Sequence, residues 1–525
     1  MIIRNLMVIS MVMGLLPHPA SGAEAAPKPN IIIILVDDMG YADLGCYGGE
    51  IRTPNIDALA KNGTRWRSFY NCAQCCPTRA SLISGLYPHR AGVGDMIDPH
   101  SKTTRDAAAS PAYSDRLSPQ AVTIAEALKP AGYQTFMTGK WHLGYREGER
   151  PCSRGFDRYF GIIAGADSYW KPKSLYRDDK PVPQLPEGFY ATDSFTDAAI
   201  EYIGQRDETK PFFLYLAYNA PHTPYDHQPA DLERYKDTFA KGFDAVREQR
   251  FARQKEFGFW PPELKLPPRD SLSKPWEGSA PQIAQSDRMA RYASLVDRID
   301  INVGKLKKTL DQQKLTDNTL ILFLSDNGAW ASPSTYGIEW AETGNTPYRL
   351  FKMFVHEGGT CTPFIAHWPG KVPAGVLNKA SYGHVKDLLP TCLAVAGTGY
   401  PKERSGKPVS PLDGQNLLPS LLDPKVVSAS PLAWERRGNS ALRDGRWKLS
   451  RFYNENRDKA VGEGPPSGKW ELYDLQADPF ESNDLASNEP AQLKTMIAAY
   501  EAWEKQVGVI DRQVIVRKMA VTEKK

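Results

Sequence analysis

Residues 29–36 (PNIIIILV) form an unbroken apolar run, rich in β-branched side chains and bounded by polar residues. A run of this kind has no face to give to water, so it reads as a strand covered on both sides, as in a parallel sheet. It stops abruptly at Asp37-Asp38-Met39-Gly40. The design recurs. Residues 319–324 run into Ser325-Asp326-Asn327-Gly328, and 212–216 lead through Ala217-Tyr218-Asn219 to Ala220-Pro221-His222. Residues 133–137 lead into Thr138-Gly139-Lys140-Trp141-His142.

Helical patterns separate these runs. Thr53-Pro54 opens one that carries Ile56, Leu59 and Ala60 and closes at Gly63. Thr123 and Glu126 have capping-box spacing. Met289, Tyr292, Leu295, Ile299, Val303, Leu306 and Leu310 keep one helical face over a long segment. Strands alternating with helices predict an α/β fold with a large, mostly parallel sheet, whose ligands sit beyond the carboxyl ends of the strands. The acid, amide, histidine and lysine residues collect at those ends.

After about residue 400 the texture changes to short alternating runs, 441–450 and 469–475. A last amphipathic helix carries Leu493, Met496, Ile497, Tyr500 and Trp503. The expected division is a signal peptide over 1–25, a main domain over 26–400, and a smaller antiparallel β-plus-helix subdomain over 401–525. Residues 225–285 read as a charged, mostly helical surface excursion, and the chain end at Thr522-Glu523-Lys524-Lys525 as frayed.

Composition narrows the partners. The formal charge is +4 and no long basic run occurs, so nucleic acid is not expected. Arg4, an apolar run over residues 6–16 and small residues at 20–23 read as a secretory signal, and no other segment is long and apolar enough to span a bilayer. The expected product is exported, periplasmic or secreted, without stable membrane insertion. Seven cysteines, Cys46, Cys72, Cys75, Cys76, Cys152, Cys361 and Cys392, leave at least one unpaired in an oxidising compartment. The other six can pair or stay reduced.

Asp37 and Asp38 follow one strand and Asp326 and Asn327 another. Three converging carboxylates repel unless a cation neutralises them, and all-oxygen ligation suits Ca²⁺ or Mg²⁺. The alternative is that both pairs are turn and cap residues. Cys75-Cys76-Pro77-Thr78-Arg79 puts a thiol just ahead of a proline able to open a helix, with an arginine beside it. A helix N-terminus with an arginine fork is an anion site. Alone, the motif would be a buried cysteine in a core helix. Lys140 and His142 alternate, so on an extended segment their side chains would point apart. His222 lies in a Pro-flanked turn, and Lys352 just precedes His356-Glu357-Gly358-Gly359. Tyr169, Trp170 and Trp330 are candidates for lining a substrate mouth, with packing as the alternative.

These motifs, in order, resemble the type I formylglycine-dependent sulfatases of the alkaline phosphatase superfamily, bacterial arylsulfatases in particular. The resemblance rests on VDDMGYADLGCYGG, CCPTRASLISGLYPHR, GKWHLG, NAPHTPY, SDNG, FKMFVHEGG and ALRDGRWKL. It implies an alkaline phosphatase-like sheet and a sulfuric ester hydrolase acting on aryl sulfates or sulfated sugars. It implies that a maturation enzyme converts Cys75 to formylglycine (3-oxoalanine), whose hydrated aldehyde attacks sulfur and passes through a sulfo-enzyme. It implies one Ca²⁺ held by Asp37, Asp38, Asp326, Asn327 and the modified Cys75. Arg79 would orient that group, and Lys140, His142, His222 and Lys352 would surround the sulfate. Two positions depart from the family pattern: Cys76, where many relatives carry serine, and His356, where tyrosine is frequent. A phosphonate monoester or phosphodiester hydrolase of the same superfamily is the alternative chemistry. An inactive sulfated-glycan-binding homologue is the alternative class, and the intact Cys75 motif argues against it.

Overall fold

The computed structural model describes residues 27–98, 101, 106, 108–332, 334–453 and 468–522. The signal reading of residues 1–25 and the frayed end beyond Thr522 lie outside them. The main-sheet strands are β1 (Asn30–Val36), β2 (Thr64–Tyr70), β3 (Gln134–Gly139), β4 (Arg158–Ile162), β5 (Leu175–Arg177), β6 (Lys180–Pro181), β7 (Phe212–Ala217), β8 (Thr319–Ser325), β9 (Phe364–His367) and β10 (Val376–His384). They form one ten-stranded sheet in the order β10-β2-β9-β8-β1-β7-β3-β4-β5-β6. Strand β1 is parallel to both neighbours, as are β3 to β7 and to β4. Strand β9 is antiparallel to β2 and β8, and β5 and β6 finish one edge antiparallel.

All seven residues of β1 are buried. Ile32, Ile34 and Val36 join a cluster with the faces of helices Ala191–Gly204 and Ala280–Gln312. Ile31, Ile33 and Leu35 join a second cluster with helices Cys75–Ser84, Ile124–Leu128 and Leu388–Ala396. The continuous apolar run thus reflects two covered faces. The long periodic segment is the 33-residue helix Ala280–Gln312, and the Thr123/Glu126 capping box is present. No described helix is long and apolar enough to cross a membrane. All seven cysteines are unbridged.

The register positions the site. Leu35 lies opposite Ala217, Val36 opposite Ser325, and Ala217 opposite Gly139. Four strands therefore end side by side, and Asp37, Asp326, Lys140 and the His222 loop leave from adjacent points. Gly139 makes the turn possible: its φ is +99°, and a Cβ there would lie 1.9 Å from the Ala217 carbonyl oxygen.

The 225–285 excursion corrects its sequence reading. Only Pro229–Leu232, Gly242–Glu256 and the first six residues of Ala280–Gln312 are α-helical, with a long irregular stretch between the last two. Nor is it peripheral, because Phe243, Val246, Phe251, Phe259 and Trp260 join the core. Its charge is partly interior. Arg250 is 0% exposed, donating to Asp43 at 2.6 Å and to Glu50 at 2.7 and 2.8 Å. Asp43 in turn accepts from the Gly40 amide at 2.8 Å and from the Tyr292 hydroxyl at 2.6 Å, which holds the turn after Asp37-Asp38. Removing one partner of a buried pair strands the other charge, so Arg250→Met is expected to cost about 3–5 kcal/mol in a denaturant melt. A cost below about 1 kcal/mol, the level of an exposed pair, would contradict this.

Beyond residue 400, strands Leu432–Arg436, Asn439–Asp444, Trp447–Arg451 and Trp470–Asp474 form a four-stranded antiparallel sheet. The 441–450 run is a hairpin rather than one strand, turning at Gly445 with φ +56° directly after Asp444. Helix Pro490–Val507 packs Met496 and Tyr500 onto Leu442, Leu449 and Leu472. The sheet leans on the main domain through the Trp434 indole, which donates to the Asn71 carbonyl at 2.7 Å.

Candidate active site

Asp37 and Asp38 leave β1 and Asp326 and Asn327 leave β8, and all four are buried. Asp38 sits at φ +68°, a left-handed conformation unusual outside glycine, which swings its carboxylate away from the strand direction. The groups lock together. The Asp38 amide donates to Asp326 Oδ1 at 3.2 Å, and Asn327 Nδ2 to Asp38 Oδ1 at 2.6 Å. Arg79 grips Asp326 Oδ2 through Nε at 3.1 Å and Nη2 at 2.9 Å, and lies 3.4 Å from Asp37 Oδ2. Lys140 Nζ donates to Asp37 Oδ2 at 2.5 Å, and Lys352 Nζ to Asp38 Oδ1 at 2.6 Å.

One buried oxygen on each of Asp37 (Oδ1), Asp38 (Oδ2) and Asn327 (Oδ1) has no hydrogen-bond partner. Buried acceptors left empty are costly; carboxylate oxygens of Asp37 and Asp38 lie within 4.8 Å of each other, and with Asn327 at the adjacent strand end this is the donor set expected of a hard-cation cradle. The electrostatics agree. Burial works to raise the Asp37 carboxyl, but Lys140, His222 and Arg79 hold it down to about 2. Burial and the Asp37 charge push Asp326 well up, against Arg79 and Lys140. A divalent cation is what would let both carboxylates ionise together.

Cys75 begins helix Cys75–Ser84, all ten residues of which are buried, and no side chain caps its N-terminus. Pro77 is the third helical residue rather than the first. It costs nothing there either, because the first-turn amides have no partner within the helix. A hydrogen bond with Cys76 lowers the Cys75 thiol well below its ordinary value; burial opposes this, and Lys140, His142 and Lys352 reinforce it. Arg79, one turn on, also donates to the Lys140 carbonyl at 3.0 Å, so the helix and the end of β3 are tied together.

Lys140 and His142 do converge, because the segment is not extended: Gly139 has φ +99° and His142 +57°. A ring nitrogen of His142 lies within 4.8 Å of the Cys75 and Cys76 sulfurs, and burial holds the ring below its ordinary value against the Cys75 charge. Its Nδ1 has no hydrogen-bond partner. His222 Nδ1 lies 2.6 Å from the Thr223 carbonyl and so carries the proton, which turns Nε2 toward Asp38 Oδ2 at 3.5 Å. Lys352 keeps its proton firmly: burial works against it, but the charges of Asp38 and Cys75 raise it further.

Every residue singled out for metal or sulfate thus enters one cluster. The aromatic trio divides. Tyr169 is fully buried and donates to the carbonyls of Asn219 and His222, so it supports the His222 turn and does not line the mouth. Trp170 packs on Tyr190, whereas the Trp330 ring lies 5.3 Å from Lys352 Nζ, at the site's edge. Sequence reasoning missed Ser325, whose hydroxyl accepts from the Met39 amide. It also missed Asn345, whose Oδ1 accepts from the Tyr41 and Ala329 amides and whose Nδ2 donates to the Leu350 carbonyl. Neither has a spacing that marks it in the chain.

Comparison with known proteins bears on this geometry. A family model described as Sulfatase matches residues 29–398, and one described as N-sulphoglucosamine sulphohydrolase, C-terminal, matches 347–500. The arylsulfatase of Klebsiella aerogenes is 33% identical over 440 residues, covering 76% of this chain and 93% of its own. The structure of Ps i-CgsB in complex with k-i-k-neocarrahexaose superimposes with a TM-score of 0.67 at 28% identity, covering 91% of this chain and 92% of the other. A structure in complex with its substrate D-glucosamine-2-N,6-O-disulfate does so at 0.65 and 25%, covering 92% and 99%.

Proposed function

Because this chain belongs to the sulfatase family and hydrolyses sulfate esters, we propose that it acts as an exported, calcium-dependent sulfatase whose Cys75 is converted to formylglycine. The observation that carries the reading is the cradle of empty oxygens on Asp37, Asp38 and Asn327, placed beside a thiol that opens a buried helix amid Arg79, Lys140 and Lys352. The Met1–Ala25 segment supports export. Sugars bound by the structural relatives support a sulfated glycan as substrate, and Trp330 is placed to stack on a ring.

Formylglycine would supply a hydrated aldehyde as nucleophile, and calcium held by Asp37, Asp38, Asp326 and Asn327 would supply positive charge against it and the sulfate. The remaining work belongs to the chain. Lys140, Lys352 and Arg79 are preorganised cations that stabilise charge developing on the sulfate oxygens. Lys352 holds its proton too tightly to give it up readily. His222, once its Nε2 also carries a proton while Nδ1 stays anchored to Thr223, is the better donor to the leaving alcohol. His142, neutral and close to position 75, accepts a proton there during sulfate release.

Peptide mass spectrometry across position 75 of natively matured protein is expected to show aldehyde in place of thiol. EGTA is expected to abolish turnover and Ca²⁺ to restore it. Saturating Ca²⁺ at about a thousand times its Kd should stabilise the fold by about 4 kcal/mol. Full activity in protein carrying only thiol at position 75, or after complete chelation, would sink the proposal.

A further inference from the structure

We propose that, while Cys75 is still a thiol, Cys75, Cys76 and His142 form a second metal site that takes a borderline-soft divalent cation of the zinc class. The site shares position 75 with the oxygen cradle beside it but takes its other donors from Cys76 and His142, and the proposal concerns the unconverted chain, whatever becomes of position 75 later. Its ligating atoms all lie within 4.8 Å of one another, and all three residues are buried. Cys75 and Cys76 are 3% exposed and His142 is 8% exposed.

Two sulfurs and an imidazole nitrogen are the donors that zinc-class ions prefer, whereas Ca²⁺ seeks oxygen. A tetrahedral ion with sulfur at roughly 2.3 Å and nitrogen at roughly 2.0 Å draws its donors to about 3.5–3.8 Å from each other. From a spacing within 4.8 Å, the donors need close by no more than about 1 Å to reach it. Three protein ligands then leave a fourth position for water.

Charge favours occupancy. Asp37, Asp38 and Asp326 are matched by Lys140, Lys352 and Arg79, each of which is already paired. Those cations are held by carboxylates, and two thiolates would balance one divalent ion. Binding forms two S–metal bonds and releases whatever protons the two sulfurs still hold. Conversion of Cys75 removes its sulfur and leaves two protein donors, so metal occupancy and the aldehyde exclude one another. Cys76 makes the site: with serine there, one sulfur and one nitrogen remain.

The test uses full-length chain produced without a converting activity, its Cys75 thiol verified by mass. It is titrated with Cd²⁺ in excess Ca²⁺, which occupies the oxygen cradle. The expected result is a near-ultraviolet sulfur-to-cadmium charge-transfer band that saturates at a single equivalent and is lost in Cys76→Ser. Cd²⁺ should also protect Cys75 and Cys76 together from iodoacetamide in peptide maps of the parental chain, a readout that stands even if the variant fails to fold. Absence of the band, its survival in Cys76→Ser, or undiminished alkylation of Cys75 under Cd²⁺ overturns the proposal.

Discussion

Replacing Cys75 with alanine is expected to lower kcat/KM for sulfate esters by about 10⁴-fold or more, because loss of a nucleophile leaves only binding and electrostatic contributions. Stability should change little. Cys75 is buried but small, and its helix is held by Arg79 and by the packing of Leu82 and Ile83 against the sheet. Serine at the same position gives a sharper diagnosis. A hydroxyl can attack sulfur once, but the sulfate ester it leaves has no second hydroxyl on the same carbon from which to expel sulfate. Cys75→Ser is therefore expected to release a burst of product no greater than one per enzyme and then stop. Steady turnover by Cys75→Ala at the parental rate, measured on protein with parental circular dichroism, would remove position 75 from the chemistry.

Arg79→Leu is expected to combine the two largest costs in the molecule. Arg79 is 0% exposed, binds Asp326 twice, touches Asp37, and bonds to the Lys140 carbonyl. Its removal leaves buried carboxylates without their partner, a loss of about 3–5 kcal/mol by denaturant unfolding. Turnover should fall with it, since Arg79 belongs to the charged cluster around position 75. The pairing Arg79→Leu with Asp326→Asn separates the two effects. Removing both charges should recover much of the stability, a coupling that a double-mutant cycle measures, while activity stays low. If the double variant is as unstable as the sum of the singles, Arg79 stabilises by packing rather than by charge.

The legible parts of this protein are those where one physical rule acts alone. A strand covered on both faces must be apolar throughout, so β1, β7 and β8 stand out from composition, and the acid pairs at their ends follow. The family resemblance then gathered Lys140, His142, His222 and Lys352, which no spacing connects. Where rules compete, the reading failed. The charged 225–285 stretch looked solvated because Arg250 gives no local sign that Asp43 and Glu50, some two hundred residues earlier, will receive it. For Tyr169 the sequence left substrate mouth and packing both open, because an aromatic residue near a site is the same letter whether its hydroxyl faces a sugar or two backbone carbonyls; the structure takes the second. The Lys140/His142 alternation would separate the two side chains only on an extended segment, and the positive φ of Gly139 and His142 breaks that period.

The bond from the Trp434 indole to the Asn71 carbonyl joins residues 363 positions apart. Asn71 stands four residues ahead of Cys75, so the stretch that leads into the Cys75 helix is held by chain from beyond residue 400. A loosening of that late sheet is therefore transmitted to position 75.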